Sequence, residues 1–128
     1  MTANYTLYYA PGSASLAVHW LLLELGVPFT AVPIDLQAGE HKQAQYLAIN
    51  PLGLVPSLIV DGKPQAECAA LLLLLAERHP LSAMAPALSD PARADSIHKT
   101  PQAPHRMPLY KHWQRRVSKR LGIDWMRT

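Results

Sequence analysis

Hydrophobic spacing changes several times along the chain, and each change marks an element. Tyr5-Thr6-Leu7-Tyr8-Tyr9 is rich in β-formers and stops at Pro11-Gly12, which predicts a first strand. Ser13 or Ser15 can cap a helix in which Leu16, Trp20, Leu23 and their neighbours form a wide apolar face to about Leu25, with Gly26 supplying the stop before Pro28. Phe29 to Ile34 resumes as a strand, and Glu40 to Ala48 is a short polar segment of helical character closed by Asn50-Pro51 and Gly53. Val55 to Val60, Asp61-Gly62 and Lys63 to Ala66 read as a hairpin, because Asp-Gly suits a two-residue turn with positive φ. Glu67 to His79 is helical and apolar almost all round, which predicts burial on more than one side.

The order is therefore βαβ, a short helix, then ββα. A βαβ unit brings a parallel pair with a right-handed crossover, and the hairpin adds antiparallel strands. The expected fold is α/β, a thioredoxin-like four-stranded mixed sheet with helices on both faces. Such a fold hosts redox proteins, transferases and binding modules alike. Beyond it the pattern changes: half of the 12 prolines fall within residues 80–108, a density that forbids a long helix or a central strand. The expected organisation is a domain over 1–80, a Pro-rich linker over 81–107 and a tail over 108–128. In the tail Leu109, Trp113, Val117 and Leu121 recur every four residues, with Lys111, Arg115, Arg116, Lys119 and Arg120 mostly off that stripe, a basic amphipathic helix stopped by Gly122.

Composition narrows the class. At 128 residues, 49% hydrophobic and 16% charged, the chain has the make-up of one globular domain rather than of a disordered segment. Its net charge of +3 is unevenly placed: residues 1–94 hold 4 Lys/Arg and 7 Asp/Glu, whereas residues 95–128 hold 8 and 2. The longest uncharged apolar stretches, Leu16 to Leu23 and Ala69 to Ala76, fall short of the roughly 18–20 residues that cross a bilayer. The first ten residues lack the pattern of a secretory signal, so the cytoplasm is the expected compartment. The single cysteine, Cys68, excludes an internal disulfide and dithiol chemistry. His98, His105 and His112, seven apart among prolines, fit no metal-site spacing, and no metal is expected.

Four strings then stand out together: Tyr8-Tyr9-Ala10-Pro11-Gly12-Ser13, Gly39-Glu40-His41-Lys42, Asn50-Pro51-Leu52-Gly53-Leu54-Val55-Pro56, and Glu67-Cys68. In that order and spacing they resemble the N-terminal domain of glutathione S-transferases, beta-like at the start and phi-like around Glu40 to Lys42, from about Tyr5 to Pro80. The resemblance implies a cis bond at Val55-Pro56, turning the backbone of Val55 toward the cysteinyl unit of glutathione. It also implies that Glu67 and Cys68 hold the γ-glutamyl end, and that His41 and Lys42 contact the glycine carboxylate. Cys68 departs from the family's serine, and a thiol is the weaker donor. Leu52 and Leu54 depart as well; Leu54 can offer a ligand only its backbone.

The resemblance implies transfer of the glutathione thiolate to a small electrophile. A free thiol of pKa about 8.5 is only a few per cent ionised at neutral pH, so the protein must stabilise negative sulfur. A donor near the end of the first strand and the positive end of the following helix are the two devices for this. Ala14 stands where the beta-class cysteine aligns, which makes Ser13 the first candidate donor, Ser15 the second and Tyr9 the third. For either serine, helix capping without catalysis is the competing role.

From Ser96 onward the resemblance ends, as a shifted reading frame or a truncated paralogue would produce. The family's all-helical second domain normally shapes the electrophile pocket and helps form the dimer. Without it the helix at Glu67 to His79 is expected to expose an apolar face or self-associate as a homodimer. The alternative function is a non-catalytic glutathione-binding or interaction module. A basic-tail protein using residues 108–122 on RNA or an anionic membrane is the further rival, against which the tail's apolar stripe is expected to pack back on the first domain.

Overall fold

The computed structural model of the protein describes residues 4–82 and 89–93. Seven elements carry the fold: β1 (Tyr5–Tyr9), α1 (Ser15–Leu25), β2 (Thr30–Pro33), α2 (Ala44–Leu47), β3 (Ser57–Val60), β4 (Lys63–Ala66) and α3 (Cys68–Arg78). The strands form one mixed sheet in the order β2-β1-β3-β4, with β1 parallel to β2 and antiparallel to β3, and β3 antiparallel to β4. This is the expected thioredoxin-like α/β sheet.

Alternation along β1 places helices on opposite faces of it. The ring of Tyr9 lies 4.8 Å from that of His19 in α1, whereas the ring of Tyr8 meets Tyr46 of α2 edge-on at 5.8 Å. The core of the first part gathers Tyr5, Leu7, Val18, Leu22, Leu58 and Leu71, all buried. His19 is wedged between Tyr9 and Phe29, and its burial holds its pKa below the usual 6.5.

Chain packing divides the molecule into Met1–Leu72 and Leu73–Thr128, a boundary inside α3. In the second unit Glu77 pairs with Arg93, and the Ser82 hydroxyl donates to His79 O at 2.6 Å, closing a 3₁₀ turn over Pro80–Ser82. The expected basic helix over 108–122, and the linker apart from residues 81, 82 and 89–93, lie outside the described residues. Among the described residues, no helix is long and apolar enough to cross a membrane.

Two local expectations are corrected. Ala14, not a serine, occupies the N-cap position of α1 and has no side-chain oxygen; the Ser13 hydroxyl instead accepts the Ser15 N–H at 3.2 Å. The segment from Glu40 to Ala48 is two pieces, a 3₁₀ turn Glu40–Lys42 and the four-residue α2. They break at Gln43, whose extended backbone (φ −76°, ψ 149°) lets its carbonyl accept from the N–H groups of Tyr46 and Leu47 as the cap of the second piece. Along α3, Leu71 and Leu75 are buried, Leu72 to Leu74 are half-buried and Ala70 is exposed. Among the described residues the exposed leucines are Leu36, Leu52, Leu54 and Leu81, all outside α3. The Asp61-Gly62 hairpin matches its expectation, with φ of 50° and 83°, and is tied to the chain start by Asn4 N–H donating to Asp61 Oδ1 at 2.9 Å.

Candidate functional site

Strand register brings the singled-out segments to one end of the sheet. Ser57, the first residue of β3, pairs with Tyr8 on one side and with Ala66 on the other. Val55-Pro56 thus enters the sheet beside the end of β1, and Glu67 leaves it beside the same end. The peptide between Val55 and Pro56 is cis, as expected. Because β2 runs parallel to β1, its exit at Pro33 reaches that end too.

The turn from β1 into α1 is closed by its two serines. Ser13 Oγ reaches Ala10 O at 2.7 Å, Ser15 Oγ reaches the same carbonyl at 3.1 Å, and the two hydroxyls lie 2.6 Å apart. Ala10 N–H donates to Ser15 Oγ at 3.0 Å. With two hydroxyl protons and these acceptors, both are used inside the turn. Ser15 is 0% exposed, whereas Ser13 retains accessible surface. Tyr9 is half-buried against His19.

After β2, Asp35 and Glu40 close a loop on each other. Glu40 N–H donates to Asp35 O at 3.0 Å, Asp35 N–H to Glu40 Oε2 at 3.3 Å, and Ala38 N–H to Asp35 Oδ1 at 3.0 Å. Lys42 then turns to the neighbouring loop, its Nζ donating to Leu52 O at 3.4 Å. His41 is half-buried, with its Nδ1 unpartnered.

The loop from Asn50 to Pro56 is held from beneath. Tyr46 Oη donates to Leu54 O at 2.6 Å and lies 2.7 Å from Ser57 Oγ. Asn50 Nδ2 donates to Leu54 O at 3.0 Å and to Ser57 Oγ at 3.2 Å, while its Oδ1 accepts Leu52 N–H at 3.1 Å. Burial raises the Tyr46 phenol above its usual 10 despite the opposing hydrogen bonds to Ser57 and Asn50, so it remains a donor. Gly53 has φ +62°, and a Cβ there would stand 2.7 Å from His41 O. Only glycine lets the loop pass this close.

Two consequences follow for the expected ligand contacts. The Leu54 carbonyl, holding two donors, is occupied, whereas the N–H of this 55% exposed residue has no hydrogen bond among the described residues. The Val55 backbone next to it has no hydrogen bond among the described residues.

Glu67 stands between β4 and α3 with φ +72°, a conformation non-glycine residues seldom hold and one that clusters at ligand clamps. Its carbonyl accepts Leu71 N–H at 2.9 Å, opening the helix, and its side chain is exposed. The Cys68 thiol donates to Ala14 O at 3.4 Å, joining the amino ends of α3 and α1. Burial, with the Glu67 charge adding to it, pushes the Cys68 thiol up to about 11.

Sequence reading marked Asn50 only as part of its string and overlooked Tyr46, Ser57 and the support that all three give the loop, although a lone tyrosine in the polar stretch Gln43 to Ala48 is a usable signal. Among the described residues, no group of three His, Cys, Asp or Glu side chains could hold a metal.

Residues 3–77 match the family described as "Glutathione S-transferase, N-terminal domain". The chain is 41% identical over 76 residues to "Glutathione S-transferase GstA" of Escherichia coli O157:H7, covering 58% of this chain and 38% of that protein. It is 46% identical over 59 residues to "Glutathione S-transferase F9" of Arabidopsis thaliana, covering 45% and 27%. It spans well under half the length of these relatives. Among solved structures it is similar to a Sulfitobacter glutathione transferase homolog with bound glutathione, at TM-score 0.69 and 28% identity, covering 92% of this chain and 65% of that one. A sphingomonad glutathione S-transferase complexed with glutathione gives TM-score 0.68 and 30% identity, covering 91% and 66%.

Proposed function

The chain belongs to the glutathione S-transferase family, and on that premise we propose that it binds glutathione at the strand-end site and transfers its thiolate to a small electrophile. The observation that carries the reading is the convergence of Ser13, Val55-Pro56 and Glu67-Cys68 at one end of the sheet, with the amino ends of α1 and α3 held together by the Cys68 bond to Ala14. Relatives of similar fold hold glutathione.

Each residue has a physical role in this reading. The Glu67 carboxylate, unpaired among the described residues, would bind the γ-glutamyl ammonium, and the helix amino ends favour the carboxylates. The Val55 N–H and C=O would pair with the cysteinyl backbone beside the Leu54 N–H. Lys42, with His41, would meet the glycine carboxylate through charge-assisted bonds. Cys68 serves by joining the two helices, its raised pKa keeping it a neutral donor.

The thiolate donor in this reading is Ser13, the serine of the turn that retains accessible surface. Its proton lies on Ala10 O or on Ser15 and must be redirected, and Ser15, 3.1 Å from the same carbonyl, can replace it there. Ser15 is then a positioning residue. In the reaction a sulfur–carbon bond forms, the leaving group departs with its bonding pair, and the thiol proton passes to solvent. A cytoplasmic location and homodimerisation accompany this reading.

A second reading, a non-catalytic glutathione-binding module, is favoured by Ala14 and by the engagement of both serine protons within the turn. Conjugation of glutathione with 1-chloro-2,4-dinitrobenzene separates the two. A rate above the uncatalysed blank supports the transferase, and a rate equal to the blank with glutathione still bound supports the module.

A further inference from the structure

Every side-chain proton in the polar cluster beneath the loop from Asn50 to Pro56 has one place to go. Asn50 Nδ2 carries two, one donated to Leu54 O at 3.0 Å and the other to Ser57 Oγ at 3.2 Å. Leu54 O, a pure acceptor, lies 2.6 Å from Tyr46 Oη, so the phenol proton stands between them. The Ser57 hydroxyl proton is then left to donate to Tyr46 Oη across 2.7 Å. The circuit closes in this one sense, with both lone pairs of Leu54 O filled. Tyr46, Asn50 and Ser57 are all buried, where an unmade hydrogen bond is costly.

Resting on the glutathione reading above, we propose that Tyr46 and Asn50 are positioning residues: by clamping the Leu54 carbonyl they aim the Val55 N–H at the cysteinyl unit of glutathione, and so set affinity for a ligand they do not touch. Leu54 C=O and Val55 N–H belong to one planar trans peptide, in which the two groups point in opposite directions. Two donors on the carbonyl stop that plane from turning. The N–H is thereby presented away from Tyr46 and Asn50, and it has no hydrogen bond among the described residues. A loop free to turn would have to be ordered by the ligand, at a cost in affinity, whereas here folding has already ordered it.

Tyr46 suits this task. Its ring meets Tyr8 edge-on at 5.8 Å, and burial raises the phenol above its usual 10, so the donor proton is retained at neutral pH. Ser57 ties the clamp to the sheet through its pairing with Tyr8 and Ala66.

The test uses the full chain and needs no turnover. Calorimetry measures glutathione affinity, and denaturant titration measures stability, for the wild type, Tyr46→Phe and Val60→Ala. Tyr46→Phe keeps the ring and removes the donor; Val60, buried at the far end of β3 opposite Tyr5, is a destabilised control remote from the loop. Tyr46→Phe is expected to bind glutathione about three- to tenfold more weakly, the scale of one lost hydrogen bond, and Val60→Ala to stay within about twofold of the wild type although its denaturation midpoint also falls. Wild-type affinity in Tyr46→Phe, or an equal loss in Val60→Ala, overturns the positioning role. A second measurement needs no variant: saturating glutathione is expected to slow exchange of the Val55 amide proton about tenfold in the wild type. Bound glutathione with Val55 exchange unchanged overturns the proposal as well. Failure of the wild type to bind glutathione overturns the proposed function itself.

Discussion

The Cys68 thiol donates to the carbonyl oxygen of Ala14 across 3.4 Å, so the two helix ends that frame the candidate site are joined by a side chain the family usually supplies as serine. Hydroxyl and thiol differ little in reach but much in acidity, and burial has moved this thiol away from ionisation.

Alkylation of the intact chain reads that shift directly, because Cys68 is the only cysteine. With its pKa raised from 9.0 to about 11, its thiolate fraction at pH 8.5 is roughly 100-fold below that of an unperturbed thiol. Iodoacetamide is therefore expected to modify the native protein far more slowly than the denatured one, and equal rates would contradict the buried thiol. The folded thiol titrates above the unfolded one, so the unfolded chain holds fewer protons above pH 9. Stability is lost as pH rises from about 9 toward 11, a decline expected to be smaller in Cys68→Ser.

The two serines are expected to separate. Ser13→Ala should lower conjugation by about 10²-fold, as for removal of one donor to a developing anion, and cost about 0.5–2 kcal/mol of stability, the scale of a lost cap, because the Ser15 N–H loses its acceptor. Ser15→Ala leaves the buried Ala10 N–H without its acceptor and should lower unfolding free energy by about 1–3 kcal/mol in a denaturant titration. Equal effects of the two on both readouts would contradict the division of roles.

Gly53→Ala places a Cβ 2.7 Å from His41 O at φ +62°. The variant is expected to lose about 3 kcal/mol and to bind glutathione more weakly, since the displaced loop carries Leu54 and Val55. A stability within 0.5 kcal/mol of wild type, roughly the level of a neutral surface change, would show that the loop is not held as described.

Much of this arrangement was legible in residue order. Tyr5 to Tyr9, Gly26 and Asp61-Gly62 state their local geometry by composition, because β-formers, a left-handed stop and a two-residue turn are each selected by backbone sterics. The site's supports were less legible. Tyr46, Asn50 and Ser57 meet only after α2 folds back against β3, and nothing in the spacing of Gln43 to Ser57 announces a shared acceptor at Leu54 O. An open cleft lined by both Ala10 and Leu36 was illegible for the same reason, since parallel pairing of β1 and β2 is what brings their segments to one end of the sheet. Burial of Ser15 depends on the turn's three-dimensional closure, whereas its sequence position made it the second candidate donor after Ser13.

Glu67, held at positive φ beside the joined helix ends, is the residue proposed to anchor the γ-glutamyl end of glutathione, and the whole reading turns on that role. Calorimetric titration of glutathione into the full chain and into Glu67→Gln tests it most directly, because the isosteric amide keeps the shape and removes the charge. Binding by the wild type with a roughly 10- to 100-fold weaker affinity in Glu67→Gln is the predicted result, the scale of a lost charge-assisted hydrogen bond. Identical affinities for the two proteins would contradict the claim.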